Sequence, residues 1–114
     1  MTLNEFLTQL SQSPEQIEFS DTMAIIEENY TFTPSSFING DTVNEANQNN
    51  GSCKIFAFGL VNKLSAESTL ACFGTYYRDD VLKNPDGDDH QNIRNFMVSA
   101  WSGIKFDSEA LTLR

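Results

Sequence analysis

No lysine or arginine occurs in the first 53 residues of this chain, although eight carboxylates do; Lys54 is the first base. The remainder is nearly balanced, with eight acids against seven bases, and the whole carries a formal net charge of −9. Such a surface repels a phosphate backbone and an anionic membrane face, which argues against nucleic acid and membrane as partners. A basic protein partner suits it, as does the plain requirement of solubility. Cysteine is scarce too. Cys53 and Cys72 are the only two, and both stand among apolar neighbours. That placement predicts reduced, buried thiols in a cytosolic protein rather than a disulfide. No apolar run approaches the roughly 18 residues of a membrane span, and the opening Met1-Thr-Leu-Asn-Glu lacks the basic and apolar regions of a cleaved secretory signal. No P-loop, GxGxxG, HExxH or paired CxxC pattern is present, which argues against nucleotide chemistry and structural zinc, and no cofactor is expected.

What is present is enough apolar material for one core. At 114 residues and 39% hydrophobic, with nine Phe and one Trp, residues 1–114 read as a single globular domain; the sequence leaves the oligomeric state open, with a monomer favoured. Thr2 and Glu5 have the spacing of a capping box ahead of a stripe of Leu3, Phe6, Leu7 and Leu10, and Pro14 ends that helix. Ser20 or Asp21 is expected to cap a second helix bearing Met23, Ile26 and Tyr30. The proline in Thr31-Phe32-Thr33-Pro34 suits an edge strand, and Asn39-Gly40 suits a tight hairpin turn. Residues 44–50 have little to bury and read as a mobile polar loop. Ser52 then opens a helix from Cys53 to Lys63 that is apolar on nearly every side, the pattern of a central helix.

The stretch from Ser65 to Phe106 reads as the organising unit. Leu70, Phe73, Tyr77 and Val81 recur at helical spacing, as do Ile93, Phe96, Met97, Ala100 and Trp101, with Asn84-Pro85-Asp86-Gly87 as a turn between them. Together these predict an αα-hairpin wrapping the central helix, with Asp88 as the N-cap of its second arm and Gln91 closing a capping box. Ile104 and Phe106 would cover one end, and the last residues would fray. The fold class expected is therefore mainly α: four or five helices around a central apolar helix, with at most a small β element near residues 17–43.

Thr69-Leu-Ala-Cys-Phe-Gly-Thr-Tyr-Tyr-Arg, Asn84-Pro-Asp-Gly-Asp-Asp-His-Gln-Asn-Ile-Arg-Asn-Phe-Met and Gly51-Ser-Cys-Lys-Ile-Phe-Ala-Phe resemble the HopJ type III effector family. Glu18-Phe-Ser-Asp-Thr-Met-Ala-Ile-Ile and Phe32-Thr-Pro-Ser-Ser-Phe-Ile-Asn-Gly fit it as well, so the resemblance covers nearly the whole chain from about Ile17. It implies a bacterial protein and adds secretion through a type III system into a host cell as the alternative to a cytoplasmic location. It brings no set of catalytic residues.

Three constellations could carry chemistry. Asp86, Asp88, Asp89 and His90 invite a metal reading, but a calcium loop counted from Asp86 would need glycine at Gln91 and a bidentate glutamate at Met97, so no metal site is assigned. His90 and Arg94, four apart on one helical face, could line a polar cleft for an anionic group together with Tyr77 or Arg78, or could simply tie the hairpin to a carboxylate such as Asp79 or Asp80. Cys53, at the first turn of a helix, could form a Cys–His pair with His90, the only histidine. The leading expectation is a non-enzymatic interaction protein. The competing one is a small-molecule-binding protein or hydrolase with its cleft around His90, Arg94 and Cys53.

Overall fold

Thr2 opens the first helix as its residue type predicts. Its hydroxyl accepts from Glu5 N–H at 3.1 Å while the Glu5 carboxylate accepts from Thr2 N–H at 2.8 Å, closing the capping box of α1 (Leu3–Gln12). The computed structural model describes all 114 residues. After α1 and a 3₁₀ turn at Pro14–Gln16 come α2 (Phe19–Asn29), β1 (Tyr30–Phe32), β2 (Phe37–Asn39), β3 (Thr42–Asn44), α3 (Asn50–Val61) and α4 (Ala66–Ala71). A π-helical segment at Tyr76–Val81 leads to α5 (Gln91–Ser99), a 3₁₀ turn at Ala100–Gly103, β4 (Ile104–Phe106) and β5 (Leu111–Leu113). No helix is long and apolar enough to cross a membrane.

The fold is helix-rich but mixed α/β, which corrects the mainly α expectation. Two small antiparallel sheets form, one of β1 and β5 and one ordered β3-β2-β4. The Asn39-Gly40 turn makes the β2–β3 hairpin as expected, with Ile38 opposite Val43. What completes both sheets is the C-terminal segment. Ile104 and Phe106 lie in β4, which pairs β2 through Ile38 opposite Lys105, and Leu111–Leu113 pair β1 with Thr31 opposite Thr112. The last residues are therefore paired rather than frayed, and Arg114 donates from Nε to the carbonyls of Glu27 and Tyr30. Residues 17–19, where the expected β element would begin, make no strand: Ile17 leads to Glu18, which is the N-cap of α2 in place of Ser20 or Asp21, and Phe19 is the first residue of that helix. Asp21 instead accepts from Glu18 N–H at 3.0 Å.

The core is centred on α3. Cys53 and every residue from Ile55 to Gly59 are buried, and Phe58 meets Phe6 and Tyr30 edge-on at ring separations of 5.8 and 5.9 Å. One side of the helix end is bare, however: Leu60 and Val61 are about half exposed. The αα-hairpin is also less regular than periodicity predicts. α4 stops at Ala71, and Gly74 turns the chain at φ +62° before the π-helical segment. An added Cβ there would lie 2.6 Å from Phe19 N, so the start of α2 packs directly on the gap glycine leaves. The second arm begins at Gln91, with His90 and not Asp88 as N-cap, and Gln91 spends its side chain on Asn95. α3 likewise starts before Ser52, with Asn49 as N-cap.

Candidate functional site

His90 sits in the left-handed region at φ 50°, ψ 50°, and Asn49 adopts nearly the same conformation at φ 53°, ψ 48°. Each turns the chain into a helix, and neither caps that helix with its side chain. The two helix N-termini open onto one cleft of about 380 Å³. Gly51 and Ser52 of α3 and Gln91 to Ile93 of α5 line it, with Phe19, Phe73 and Tyr76 as its apolar wall. First-turn N–H groups carry the positive end of each helix, so the cleft can accommodate negative charge.

His90 is held at the cleft wall. Its Nε2 lies 3.0 Å from Asp80 Oδ2 and 3.9 Å from Asp89 Oδ2, and its ring stacks at an angle on Tyr76 with centroids 5.3 Å apart. Tyr76 in turn meets Phe19 edge-on at 5.1 Å. Behind the lining runs an asparagine network. Asn39 Nδ2 donates to the Asn92 carbonyl and amide oxygens at 2.8 and 3.0 Å, and Asn49 Nδ2 donates to Asn44 Oδ1 at 2.7 Å. Asn44 and Asn92 complete it between them. These side chains fix the N-terminus of α5 against β2, β3 and the start of α3.

Of the five residues that sequence patterns single out, only His90 lines this cleft. Arg94 turns away and pins the preceding loop, donating from Nε to the Asp89 carbonyl at 2.6 Å, from Nη1 to the Asn84 carbonyl at 2.9 Å and from Nη2 to Asp89 Oδ1 at 2.6 Å. That hydrogen bond holds the Asp89 carboxyl below its ordinary range. Arg78 ties the π-helical segment to the α1–α2 connection through the Ile17 carbonyl at 2.8 Å and the Glu18 carboxylate at 3.2 Å. Tyr77 packs against the core, and its neighbour Tyr76 takes the cleft position.

Cys53 is buried with its Sγ 3.7 Å from the Ser35 carbonyl, and burial raises its pKa. One residue along a helix rotates a side chain by about 100°. Ser52 therefore faces the cleft while Cys53 faces the interior, and the Cys53–His90 pair that the sequence would allow does not form. No group of three or more His, Cys, Asp or Glu side chains is placed to hold a metal ion.

Sequence reasoning missed the asparagines. Asn44 and Asn49 fall in the stretch expected to be a mobile loop, yet Asn44 is fully buried. Their signal was the concentration of asparagine itself around Asn39-Gly40 and residues 44–50, a side chain that tolerates left-handed backbone and carries both donor and acceptor.

A second concavity, of about 460 Å³, differs in character. Ala57, Leu60 and Val61 of α3 form one side, and Phe106 with residues 108–111 forms the other; Glu109 is its one charged lining residue.

The family model for HopJ type III effector proteins matches residues 3–111. The chain belongs to this family. A solved structure titled "Crystal structure of unknown function protein VPA0580" is 63% identical to this HopJ-family chain, with a TM-score of 0.99 over 100% of this chain and 95% of that one. No curated protein matches the chain.

Proposed function

We propose that this HopJ-family chain is a non-enzymatic effector that acts by protein contact after secretion through a type III system. The observation that carries the reading is the bare end of α3: Leu60 and Val61, on the most deeply buried helix, are left 48% and 51% exposed over an apolar groove. Exposed apolar residues gathered on one concave patch mark contact surfaces. The dispersal of Cys53, Arg94 and His90 supports the same reading, because acyl-transfer chemistry would need a nucleophile and its base in contact. The test has two parts in cells that receive the protein. A chain–reporter fusion should enter only when the type III apparatus is intact, and a photo-crosslinker at Val61 should give a discrete protein adduct that one at exposed Thr8 does not. Entry without the apparatus, or the same adducts from both positions, would overturn the reading.

A second reading draws on the two uncapped helix N-termini at the His90 cleft, which suit a small anionic ligand. Phosphate should then raise the melting temperature of the wild type beyond a chloride control at matched ionic strength, and His90→Ala should abolish the difference. Equal shifts in phosphate and chloride would remove this reading.

A further inference from the structure

We propose that the His90 cleft binds a neutral sugar ring, whose apolar face lies on the Phe19–Tyr76 wall while its hydroxyls meet the polar side chains of the lining. The inference concerns the same cleft as the anion reading but stands on its side chains and not on its helix ends, so either can fail alone.

Four lining side chains are half engaged. Asn49 Nδ2 donates to Asn44 Oδ1 at 2.7 Å, Gln91 Nε2 donates to Asn95 Oδ1 at 2.7 Å, and His90 Nε2 lies 3.0 Å from Asp80 Oδ2. Thr42 Oγ1 accepts from Asn95 Nδ2 at 2.8 Å. Each side chain is thus held by one group, and its second has no partner within the protein. Asn49 Oδ1, Gln91 Oε1 and His90 Nδ1 remain as acceptors, and the Thr42 hydroxyl remains as a donor. Side chains already fixed lose little freedom on binding, which lowers the cost of polar recognition. A set dominated by acceptors calls for a ligand that donates at several points, and a hydroxylated ring does so.

The rest of the lining selects among hydroxylated ligands. No Asp, Glu, Lys or Arg side chain lines the cleft, so a charged ligand finds no ion-pair partner there. Phe19 and Tyr76 meet at 73°, and Tyr76 and His90 are tilted by 39°. Rings set at such angles form a ridged wall, whereas a nucleobase is best held in a flat slot. The C–H bonds on a sugar's apolar face are slightly positive and settle on the negative faces of single aromatic rings, which a ridged wall still presents. Tyr76, at 41% exposure, is the ring most open to such contact. A volume of about 380 Å³ lies at the small end of ligand sites and suits one ring rather than a chain of them.

The test titrates the isotopically labelled full-length chain with glucose, galactose, mannose and N-acetylglucosamine in turn, read by amide shifts. Sorbitol, with the hydroxyls but no ring, is the control. At least one sugar should move the amides of Gly51, Ser52 and Gln91 in a saturable way with a Kd of about 1 mM, and sorbitol should not. Tyr76→Ala should weaken that sugar about tenfold, while Tyr76→Phe, which keeps the ring, should bind like the wild type. Should Tyr76→Ala lose its fold, Gln91→Met at an exposed position removes one acceptor and should weaken binding about fivefold. Silence at the cleft amides with all four sugars would overturn the proposal, as would equal shifts from sorbitol. Unchanged affinity in Tyr76→Ala and Gln91→Met would place the sugar elsewhere and overturn it too. Adenosine binding where no sugar does would assign the cleft to a base instead. The comparison of phosphate with chloride decides the anion reading separately.

Discussion

Asn44 and Asn92 face each other as a reciprocal amide pair, 48 residues apart in sequence. Asn92 Nδ2 donates to Asn44 Oδ1 at 3.0 Å, and Asn44 Nδ2 donates back to Asn92 Oδ1 at 3.2 Å. Both residues are buried, at 1% and 7% exposure, and Asn39 and Asn49 add to the same oxygens. A buried polar network satisfied on nearly all sides specifies one packing of the elements it joins, here β3 and α5. A half-satisfied one is costly, because every orphaned amide retains its desolvation penalty.

Asn92→Ala should therefore destabilise the protein by about 3 kcal/mol, since it strips partners from both Asn39 and Asn44. Urea titration would measure it. A loss below about 1 kcal/mol would mean that water replaces the amide and that the network does not set the packing.

Much of the helical frame was legible in the sequence because period and caps are local. The Thr2–Glu5 box, the Asn39-Gly40 turn and the burial of Phe56 and Phe58 follow from neighbours within a few positions. The sheets were not legible for the opposite reason. Strands of three residues are too short to show alternation, and β1 and β5 become strands only by meeting each other across some 80 residues. At the site the helix-capping rules misled. Asp88 and Ser52 are good caps by type, but both helices start beside left-handed His90 and Asn49, where tertiary contacts through the asparagine network and Asp80 decide the turn. His90 was found as the lone histidine near a turn. The lining of its cleft was misassigned: Arg94 and Cys53 were expected beside His90, where Gly51, Ser52 and Tyr76 stand instead.

Alkaline pH should unfold the protein through its thiols. Burial pushes Cys72 up to about 12 from an ordinary value near 9, and Cys53 shifts in the same direction. A raised folded-state pKa gives stability that is complete below pH 9 and is lost as pH rises toward 12, because the unfolded chain releases its proton first. The Cys72 share is a slope of at most about 1.4 kcal/mol per pH unit. Stability measured between pH 8 and 11 should fall less steeply for Cys72→Ala than for the wild type. Parallel slopes would show that the Cys72 thiol contributes nothing to the loss.

Arg94→Ala should free the loop from Leu82 to Asp89 without opening the His90 cleft, because the guanidinium bonds to the loop carbonyls and to Asp89. Limited proteolysis within the loop should accelerate about tenfold, with no rescue by lysine, which cannot present the planar fork those acceptors need. The depressed Asp89 pKa adds a sign. Its stabilising contribution is present above the ordinary carboxylate range and is lost as pH falls through the lowered value, so the gap between wild type and variant should narrow in acid. A gap constant from pH 7 down to 2 would show that the Asp89 pairing contributes nothing.

Gly74 separates two explanations that a single substitution would confuse. Its φ of +62° strains any residue with a Cβ, and asparagine tolerates that region better than alanine. Space is the second constraint. A Cβ at this position would stand 2.6 Å from Phe19 N and 3.0 Å from Glu18 Cα, backbone atoms at the start of α2 that cannot swing aside like a side-chain tip. Were conformational strain alone at work, Gly74→Ala would cost about 1 kcal/mol and Gly74→Asn less. With the start of α2 against the α-carbon, both variants must push α2 away from α4 and strain the bond from Thr22 Oγ1 to the Cys72 carbonyl, now 2.9 Å. Both should then lose more than about 2 kcal/mol, and by similar amounts. Thermal unfolding of the pair against wild type reads the difference. A clear recovery in Gly74→Asn would assign the requirement for glycine to backbone conformation and relieve α2 of any part in it.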